Sequence, residues 1–562
     1  MRLLLAAPLA LSPLALPATS QAQDAEPQTA EEIVAAMQPG WNLGNSFDSM
    51  CCGDEDADET TWGNPRPDER FFESLRAEGF NSIRMPVSWN THTGPAPDYE
   101  IDPKVMARVQ EVVDLALAEG FYVMINTHHD SWQYLHKLSD PEQHDAVMAQ
   151  FDATWVQISE TFEDYPQQLV FEAMNEVGWG DTATTEQSHV LMAELNRSFH
   201  EIVRGSGGGN DDRLLVLETI YTSADQVHLD ALAAEIEALD DPMLAATTHN
   251  YGYWPFSVNI AGGTKYTEEY QGYLEENFQT QVDTFVSRGI PVIIGEYGLL
   301  DGYGRSVERG EYLKFFEHFG YLARTSGITT MWWDNGTHYD RFKREWRDQE
   351  QFDYISSSWT TRSGTASSDL VFVDSTDKVT DKSVTLNRNG LDFTGLYFGN
   401  IELKEGKDFT LEGDTLTVKA KVLKYILGDR AVGTKAQLQV RFSAGMPWKL
   451  NVISYENPVQ EDATGTAESV LIPTRFNGDQ LATMEAVYAD GTAAGPHDWT
   501  TYKAFWEAFR PNYKNNTIQL TKALLDEFDE GAPVTLRFHF WSGAVLEYTV
   551  TKNGDVVTGT VA

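Results

Sequence analysis

The sequence predicts an α/β fold, a (β/α)8 barrel, followed by two all-β immunoglobulin-like β-sandwich modules. Eight short apolar runs alternate with segments of helical spacing between residues 40 and 336, which is typical of a barrel of parallel strands. A small polar segment at 360–368 then changes the composition, and short alternating strands follow it. A doubly wound open sheet is the alternative for the first half, but the first strand-turn lacks a phosphate-binding glycine pattern.

The eight apolar runs are bounded by turn residues and rich in Val, Ile and Leu, as strands buried on both faces should be. Between them, segments such as 103–120 repeat apolar residues with helical spacing. Glycine follows four of the helical segments, where a helix end is expected, at Gly79, Gly120, Gly289 and Gly327. The predicted strands lie at 40–47, 81–87, 122–128, 169–176, 213–219, 243–251, 291–298 and 329–336.

The second half of the chain repeats one pattern. Segment 414–423 resembles segment 516–525, and each precedes a strand that ends in a similar corner. Two tandem β-sandwiches of roughly a hundred residues each fit this repeat. The predicted division of the chain is a signal peptide at 1–22, the barrel at 30–358, a linker at 359–368 and two sandwiches at 369–465 and 466–562.

Charge and composition limit the kinds of molecule that this protein can bind. The 562 residues carry a net charge of −44, from 85 acidic and 41 basic residues, so the surface repels nucleic acid and anionic membranes. A neutral or cationic substrate is expected instead. Aromatic residues reach 12%, with 15 Trp, and aromatic faces stack well on the apolar faces of sugar rings.

The N-terminus has the pattern of a secretory signal. Met1 and Arg2 give a positive start, 3–17 is apolar, and 20–22 is a small-residue cleavage site. No later segment approaches the roughly 18 to 20 apolar residues that cross a bilayer. We therefore expect a secreted, monomeric protein, extracellular or periplasmic, that binds neither membrane nor nucleic acid.

The two cysteines, Cys51 and Cys52, are adjacent. An ordinary disulfide needs about 5.5 Å between Cα atoms, whereas sequence neighbours lie about 3.8 Å apart. Two free thiols, a strained vicinal disulfide, a metal and a partner chain all stay open. Neither a CxxC nor an HExxH pattern occurs, so no metal or other cofactor is expected.

Two of the predicted strands carry a glutamate where their apolar run closes, Glu176 and Glu296. Carboxyl ends of barrel strands form the rim where barrel enzymes carry their active sites. Two carboxylates that face one another there can break a glycosidic bond. We expect Glu176 to be the proton donor, with a raised pKa, and Glu296 to be ionised for attack on the anomeric carbon.

Other polar and aromatic side chains lie at the ends of the predicted barrel strands. Arg84 beside Glu296 would favour its ionised form, and Tyr251 would hydrogen-bond the same carboxylate. Asn175 is suited to grip the sugar 2-hydroxyl, and Trp333 would form the floor under the sugar. The histidines would bond sugar hydroxyls or orient the carboxylates. The predicted binding residues of the barrel are Asn45, Arg84, His128, His129, Asn175, His249, Tyr251 and Trp333.

This constellation resembles glycoside hydrolase family 5, the retaining (β/α)8 enzymes, over about residues 30–350. The resemblance implies that Glu176 is the acid/base and Glu296 the nucleophile, with net retention of configuration. The motifs that carry it are Gly40-Trp-Asn-Leu-Gly-Asn45, Ile83-Arg84-Met-Pro, Asn126-Thr-His128-His129, Asn175-Glu176, His249-Asn-Tyr251, Gly295-Glu296-Tyr and Trp333-Asp-Asn-Gly336.

Further stretches are similar to subfamily 4, which holds endo-β-1,4-glucanases, xyloglucanases, lichenases and some xylanases. They are Thr61-Trp-Gly-Asn-Pro65, Pro86-Val-Ser-Trp89 and 125–130. An acidic loop at 51–59 departs from the pattern. Segment 406–418 resembles the immunoglobulin-like X2 module, and the last hundred residues resemble carbohydrate-binding module family 46. The resemblance implies that this last module folds back toward the cleft, with Trp499 and Trp541 as sugar-stacking candidates.

The sequence thus predicts a secreted, retaining endo-β-1,4-glucanase that acts on β-glucan polysaccharides. Soluble or branched glucans are favoured over crystalline cellulose, because no flat tryptophan-rich cellulose-binding domain with its own long linker is evident. A mannanase or a xylanase on the same barrel is the alternative. A non-catalytic glycan-binding protein would require the loss of a carboxylate, and an esterase or peptidase would require a GxSxG turn or a Cys-His pair.

Overall fold

The computed structural model describes residues 28–50, 57–300 and 306–562. The predicted signal peptide and the Cys51-Cys52 pair lie outside these residues. Eight parallel strands pair in sequence order, and β8 pairs back with β1 through Gly40 and Met331. The predicted TIM barrel is therefore confirmed. The barrel strands are β1 (Gly40–Asn42), β2 (Ser82–Met85), β3 (Tyr122–Ile125), β4 (Leu169–Glu172), β5 (Leu215–Glu218), β6 (Leu244–Asn250), β7 (Val292–Tyr297) and β8 (Thr329–Trp332). A short antiparallel pair follows β8, formed by β9 (Tyr339–Asp340) and β10 (Glu345–Trp346).

Helices surround this barrel, and three of them end within two residues of a predicted glycine, while Gly289 ends the 3-10 turn Val286–Arg288 that follows α9. Gly79, Gly120, Gly289 and Gly327 all have positive φ, between 73° and 99°, a conformation in which a Cβ is costly. The helices are α1 (Ala30–Met37), α2 (Glu69–Ala77), α3 (Pro103–Ala118), α4 (Asp130–Gln133), α5 (His144–Thr161), α6 (Thr185–Ser206), α7 (Gln226–Leu239), α8 (Trp254–Ser257), α9 (Glu268–Thr284), α10 (Arg309–Ser326) and α11 (Gln349–Ser358).

The interior of the barrel has an apolar lower layer and a polar upper layer. Helix α1 packs at the lower end in one apolar cluster with inward-facing residues such as Val170 and Val216. Because side chains alternate along a strand, the residues two positions further on face the same interior. These are Glu172 and Glu218, both fully buried. The acidic upper layer is thus set by strand periodicity.

The second half of the chain is all-β, as predicted. Its first module has a four-stranded sheet and a five-stranded sheet around one core. Its strands are β11 (Thr365–Ala366), β12 (Leu370–Asp374), β13 (Lys382–Asn387), β14 (Phe393–Phe398), β15 (Ile401–Glu402), β16 (Phe409–Glu412), β17 (Thr415–Val418), β18 (Gly433–Phe442) and β19 (Trp448–Tyr455).

The last module forms one continuous nine-stranded sheet around its own core. The repeat seen in the sequence is a strand followed by a short helix in both modules, β17 with α12 (Ala420–Leu427) and β25 with α13 (Lys522–Asp526). The strands are β20 (Val459–Gln460), β21 (Ala463–Thr466), β22 (Ser469–Arg475), β23 (Leu481–Val487), β24 (Phe509–Asn512), β25 (Thr517–Thr521), β26 (Pro533–Phe540), β27 (Val545–Asn553) and β28 (Val556–Val561).

Both modules contact the barrel. In the first module, Lys449 of β19 forms an ion pair with Glu350 of α11 at 2.8 Å, and the Pro447 carbonyl accepts a 3.1 Å hydrogen bond from the Tyr354 hydroxyl of α11. In the last module, the Ala482 carbonyl accepts a 2.9 Å hydrogen bond from the Asn259 side chain, and the Phe505 N–H donates to the Asn259 carbonyl at 3.2 Å. Asn259 belongs to the loop after β6, so the last module folds back against the rim of the barrel.

None of the helices within 28–50, 57–300 and 306–562 combines the length and the hydropathy that a membrane span requires.

Candidate active site

Glu296 is held rigidly inside the mouth of the barrel. It lies in β7 and is 4% exposed. Arg84 Nη1 donates to Glu296 Oε1 at 2.7 Å, and the Tyr251 hydroxyl donates to Oε2 at 2.5 Å. His128 Nε2 lies 3.9 Å from Oε1. The structure therefore forms both contacts that the sequence predicts for this carboxylate.

Arg84 connects Glu296 to the polar layer below it. The guanidinium is fully buried, and it also donates to Glu172 Oε2 at 2.8 Å and to Asn175 Oδ1 at 2.7 Å. Burial alone would lower the pKa of Arg84, but the charges of Glu172 and Glu296 outweigh it and raise that pKa above its usual range. Arg84 Nη1 also donates to Asn42 Oδ1 at 3.1 Å. The guanidinium has five N–H donors in a planar fork and can serve all four acceptors, whereas an ammonium has three donors.

Glu176 lies on the opposite side of the cleft, and its side chain is 44% exposed. His249 Nδ1 lies 2.7 Å from Glu176 Oε1. Burial raises the pKa of Glu176, but the hydrogen bond from His249, its charge and the charge of Arg84 outweigh burial and lower that pKa. The prediction of a raised pKa for Glu176 is therefore wrong, because it omitted the imidazole that contacts the carboxylate.

Glu176 has a left-handed backbone, with φ at 52°. Such a conformation is strained in a residue with a Cβ, so neighbouring groups must hold it. Glu218 at the end of β5 does this: its Oε2 accepts from the Glu176 N–H at 3.0 Å and its Oε1 from the Val177 N–H at 3.2 Å. Burial and the nearby charge of Glu172 raise the pKa of Glu218 well above its usual range.

Glu172 and Glu218 are site residues that the sequence analysis missed. Both are buried carboxylates at the ends of barrel strands. The signal was present, because each closes an apolar run as Glu176 and Glu296 do, Glu172 after 169–171 and Glu218 after 215–217. What the sequence did not reveal is their targets: Arg84 for Glu172, and the backbone of Glu176 for Glu218.

The histidines and Trp333 line the same cleft. The His128 ring stacks against Trp333, with 6.0 Å between centroids and 7° between planes. Burial lowers the pKa of His128 well below its usual range and lowers that of His129 to about 4. Both rings are neutral at neutral pH and can therefore donate to or accept from sugar hydroxyls.

An aromatic strip continues from the histidines. The His129 ring lies 4.4 Å from the exposed Trp132 ring and 5.7 Å from Trp62. Asn45, at the end of β1, has φ at 54°, and its carbonyl accepts a 2.9 Å hydrogen bond from Asn64. Asn175 is buried on Arg84. All eight predicted barrel residues therefore lie at one rim.

The two predicted tryptophans of the last module differ in position. Trp499 is 58% exposed, and its ring lies 6.1 Å from that of Trp254, which follows β6 in the barrel. Trp541 begins the turn between β26 and β27, where its N–H donates to the Gln480 carbonyl at 2.9 Å. The structure thus brings Trp499, but not Trp541, to Trp254.

Among the residues that the structure describes, two groups of side chains have a geometry that could hold a metal ion. One is Asp48 with His128 and His129, and the other is Glu176 with His249 and Glu296; in each, one ligand atom per residue lies within 4.8 Å of the others. In the first group, Asp48 already accepts the N–H groups of Asn45 and Ser46. That the chain needs no cofactor stays a prediction.

Three family models match the chain in order. A model described as cellulase, glycosyl hydrolase family 5, matches residues 45–339. Carbohydrate binding domain X2 matches 365–452, and a second carbohydrate-binding domain, CBM46, matches 456–560. The order agrees with the resemblances found in the sequence.

Similar proteins share the whole arrangement. Endoglucanase B of Paenibacillus lautus is 46% identical over 544 residues, which is 96% of this chain and 94% of the relative. The tri-modular endo-β-1,4-glucanase B from Bacillus halodurans superposes with a TM-score of 0.92 at 44% identity, covering 96% of this chain and 100% of that one. A tri-modular family 5, subfamily 4 endo-β-1,4-glucanase from Bacillus licheniformis has a TM-score of 0.78 at 31% identity, covering 92% and 99%.

A closed (β/α)8 barrel with facing glutamates, a family model that matches residues 45–339 and a relative 46% identical over 96% of this chain define the class: the chain belongs to glycoside hydrolase family 5. Within it, the chain is an endoglucanase with two carbohydrate-binding modules after the barrel.

Proposed function

We propose that the protein is a retaining endo-β-1,4-glucanase in which Glu296 is the nucleophile and Glu176 the acid/base. One observation carries this proposal: a carboxylate oxygen of Glu176 and one of Glu296 lie within 4.8 Å of each other. Retaining glycosidases hold their carboxyl groups roughly 5 to 5.5 Å apart, whereas inverting ones leave roughly 6.5 to 9.5 Å for a water molecule. The short separation supports direct attack by one carboxylate.

In the first step, a Glu296 oxygen attacks the anomeric carbon while the glycosidic bond breaks. Arg84 and Tyr251 hold the carboxylate in place for this attack. Glu176 donates its proton to the leaving oxygen and becomes a carboxylate. A bound sugar displaces water from Glu176, which disfavours the charged form and counters the effect of His249.

In the second step, Glu176 takes a proton from a water molecule, whose oxygen attacks the anomeric carbon and releases Glu296. The configuration is inverted twice and therefore retained. Asn175 faces this centre with its side-chain oxygen fixed by Arg84, so its NH2 group is free to point at the sugar 2-hydroxyl. That contact strengthens as the transition state forms.

We also propose that the substrates are soluble or branched β-1,4-glucans outside the cell. The neutral histidines, the net charge of −44 and the aromatic strip through Trp62 and Trp132 favour a neutral polysaccharide. Solved relatives include a xyloglucan-specific endo-β-1,4-glucanase and a subfamily 4 endoglucanase of broad specificity. Secretion rests on the signal pattern at 1–22.

The test is reducing-sugar release on β-glucan, xyloglucan, carboxymethylcellulose, mannan and xylan, with Glu296→Gln and Glu176→Gln as variants. We expect activity on the glucans and a loss of at least about three orders of magnitude in Glu296→Gln, because a carboxamide does not attack. Proton NMR of the first product should show the β-anomer. A first α-anomer would overturn the retaining mechanism, and cleavage of mannan or xylan alone would overturn the substrate.

A further inference from the structure

Three buried polar atoms converge on Gly295, the residue before the proposed nucleophile. The ideal Cβ position of Gly295 lies 3.0 Å from Thr247 Oγ1 and 3.2 Å from both Glu172 Oε1 and His249 Nε2. None of the three atoms has a hydrogen-bond partner within the part of the chain that the structure describes. Thr247 and Glu172 are fully buried, and the His249 side chain is 4% exposed.

A buried polar atom without a hydrogen-bond partner raises the free energy of the folded protein. Three such atoms around one point are rarely left unpaired. The glycine contributes the space, because any other residue would place its Cβ among them. A hydroxyl, a carboxylate and an imidazole nitrogen together supply both donors and acceptors. Buried waters typically make about three hydrogen bonds to such groups.

Two of these atoms belong to His249 and Glu172, whose other polar atoms contact the acid/base and Arg84. His249 contacts the acid/base through its other nitrogen, since Nδ1 lies 2.7 Å from Glu176 Oε1. Glu172 accepts from Arg84 through its other oxygen, Oε2. The charged and titratable groups that face His249 and Glu172 from the surrounding strands are Arg84 of β2, His128 of β3, Glu176 after β4, Glu218 of β5, Tyr251 after β6 and Glu296 of β7.

We propose that the space over Gly295 binds one water molecule, which links His249 Nε2 to Glu172 Oε1 and makes Thr247 and Glu172 positioning residues for the acid/base. The water lies against the Cα hydrogens of Gly295 and gives Thr247 Oγ1, His249 Nε2 and Glu172 Oε1 their hydrogen-bond partner. This inference rests on the proposed function, because it assigns the proton-donating role to Glu176.

The link determines how tightly the Glu176–His249 pair keeps its proton. The two groups share one hydrogen bond at 2.7 Å, so they lose the proton as a unit and not as separate residues. Through the water, the negative charge of Glu172 stabilises the proton that the pair shares. Without the relay, the pair loses its proton at lower pH, and the basic limb of the kcat/KM profile moves to lower pH.

Thr247→Val tests the link, because valine keeps the shape of threonine and removes the hydroxyl. We expect the basic limb to move down by roughly 0.5 to 1 pH unit, the shift that the loss of one hydrogen bond supports. Thr247→Ser, which retains a hydroxyl, should restore the wild-type profile. The matched control is Thr248→Val, since Thr248 faces out of the barrel and donates to Gln281 Oε1 at 2.7 Å; its basic limb should not move.

A high-resolution crystal structure of the full chain tests the water independently of activity. We expect a density peak within hydrogen-bond distance of all three atoms, absent in Thr247→Val. A direct Thr247–Glu172 hydrogen bond without such a peak would overturn the inference, as would an unchanged basic limb in Thr247→Val. Failure of the proposed function would look different: wild-type protein without glucanase activity, full activity in Glu296→Gln, or an inverted first product.

Discussion

The two glutamates at the mouth of the barrel are fixed in opposite ways. Glu296 lies within a strand, is almost fully buried, and accepts hydrogen bonds on both oxygens from Arg84 and Tyr251. Glu176 follows the end of a strand, is 44% exposed, and its carboxylate contacts a titratable group, His249. Its position is set through its backbone, which Glu218 holds.

The difference matches what each group must do. A nucleophile keeps one charge and one direction until it attacks, so rigid donors on buried strands serve it. An acid/base gains and loses a proton in every cycle, so it needs access to water and a partner that can share the proton. Fixing the backbone of Glu176 while leaving its carboxylate accessible meets both needs.

The largest effect should come from removing the charge that holds the nucleophile side. Arg84→Met leaves Glu172 and Glu296 buried without their counter-charge. We expect the free energy of unfolding to fall by about 3 to 5 kcal/mol, the usual result of removing one partner of a buried ion pair. kcat/KM should fall at least about a thousandfold, roughly 4 kcal/mol, and its acidic limb should move to higher pH.

The control for that experiment is Arg213→Met. Arg213 is also fully buried, but it donates to main-chain carbonyls, such as that of Leu169 at 2.7 Å, and to Asn210. This variant should lose stability while the pH–rate profile of the folded enzyme stays unchanged. An acidic limb that moves equally in both variants would mean that Arg84 acts only through stability.

A smaller effect is expected from Glu218→Gln on the acid/base side. The amide keeps one acceptor but turns an NH2 group toward the Glu176 or Val177 N–H, so the acid/base shifts within the cleft. We expect kcat to fall roughly tenfold to a hundredfold, the range typical of a misplacement near 1 Å, with little change in KM. Steady-state kinetics on a soluble β-glucan measure this split.

The same variant has a predictable pH dependence of stability. Because burial raises the pKa of Glu218 in the folded state, the native protein binds more protons than the unfolded chain as pH rises above the ordinary glutamate range. The wild type therefore loses stability with rising pH in that window, and Glu218→Gln should lose less. Denaturant unfolding at several pH values measures the difference.

The matched control is Glu235→Gln in α7. Glu235 is likewise buried, and burial raises its pKa to about 7. It is paired with Arg197 and belongs to the outer helices. It should reproduce the effect on stability but leave kcat unchanged. Equal losses of kcat in the two variants would argue against a positioning role for Glu218.

The strand ends were predictable, but local sequence does not distinguish the carboxylates that react from those that support them. Glu172, Glu176, Glu218 and Glu296 each close an apolar run. Strand parity places Glu172 and Glu218 inside the barrel, two residues after Val170 and Val216. Parity cannot be counted in the same way to Glu296, because the pairing of β7 shifts register at 248–249 and between Ile294 and Tyr297.

The pKa values of the site were harder to predict from the sequence than its elements. The pKa of Glu176 follows from a 2.7 Å contact with a residue 73 positions away along the chain, and no local pattern encodes that distance. Likewise, the pairing of Trp499 with Trp254 depends on how the last module docks on Asn259. Local periodicity predicted the elements, while tertiary contacts decided the chemistry and the docking.

The smallest effect should come from Trp499→Ala, at the far edge of the cleft. Trp499 contacts neither glutamate, so the reaction centre is unchanged, but an exposed indole beside Trp254 can stack on a glucan that runs past the rim. The loss of one such stacking contact costs about 1 kcal/mol, so we expect KM on a long soluble glucan to rise less than about tenfold.

Hydrolysis of a short oligosaccharide that fills only the barrel should be unaffected in Trp499→Ala. Tyr425→Ala is the control, because Tyr425 is a still more exposed aromatic residue on α12 of the middle module. This variant should hydrolyse both substrates as the wild type does. An equal loss of activity on the short and long substrates would mean that Trp499 supports the structure of the barrel rim and does not contact the polymer. A loss confined to the long glucan would make the last module part of the cleft, because only a chain that leaves the barrel reaches it.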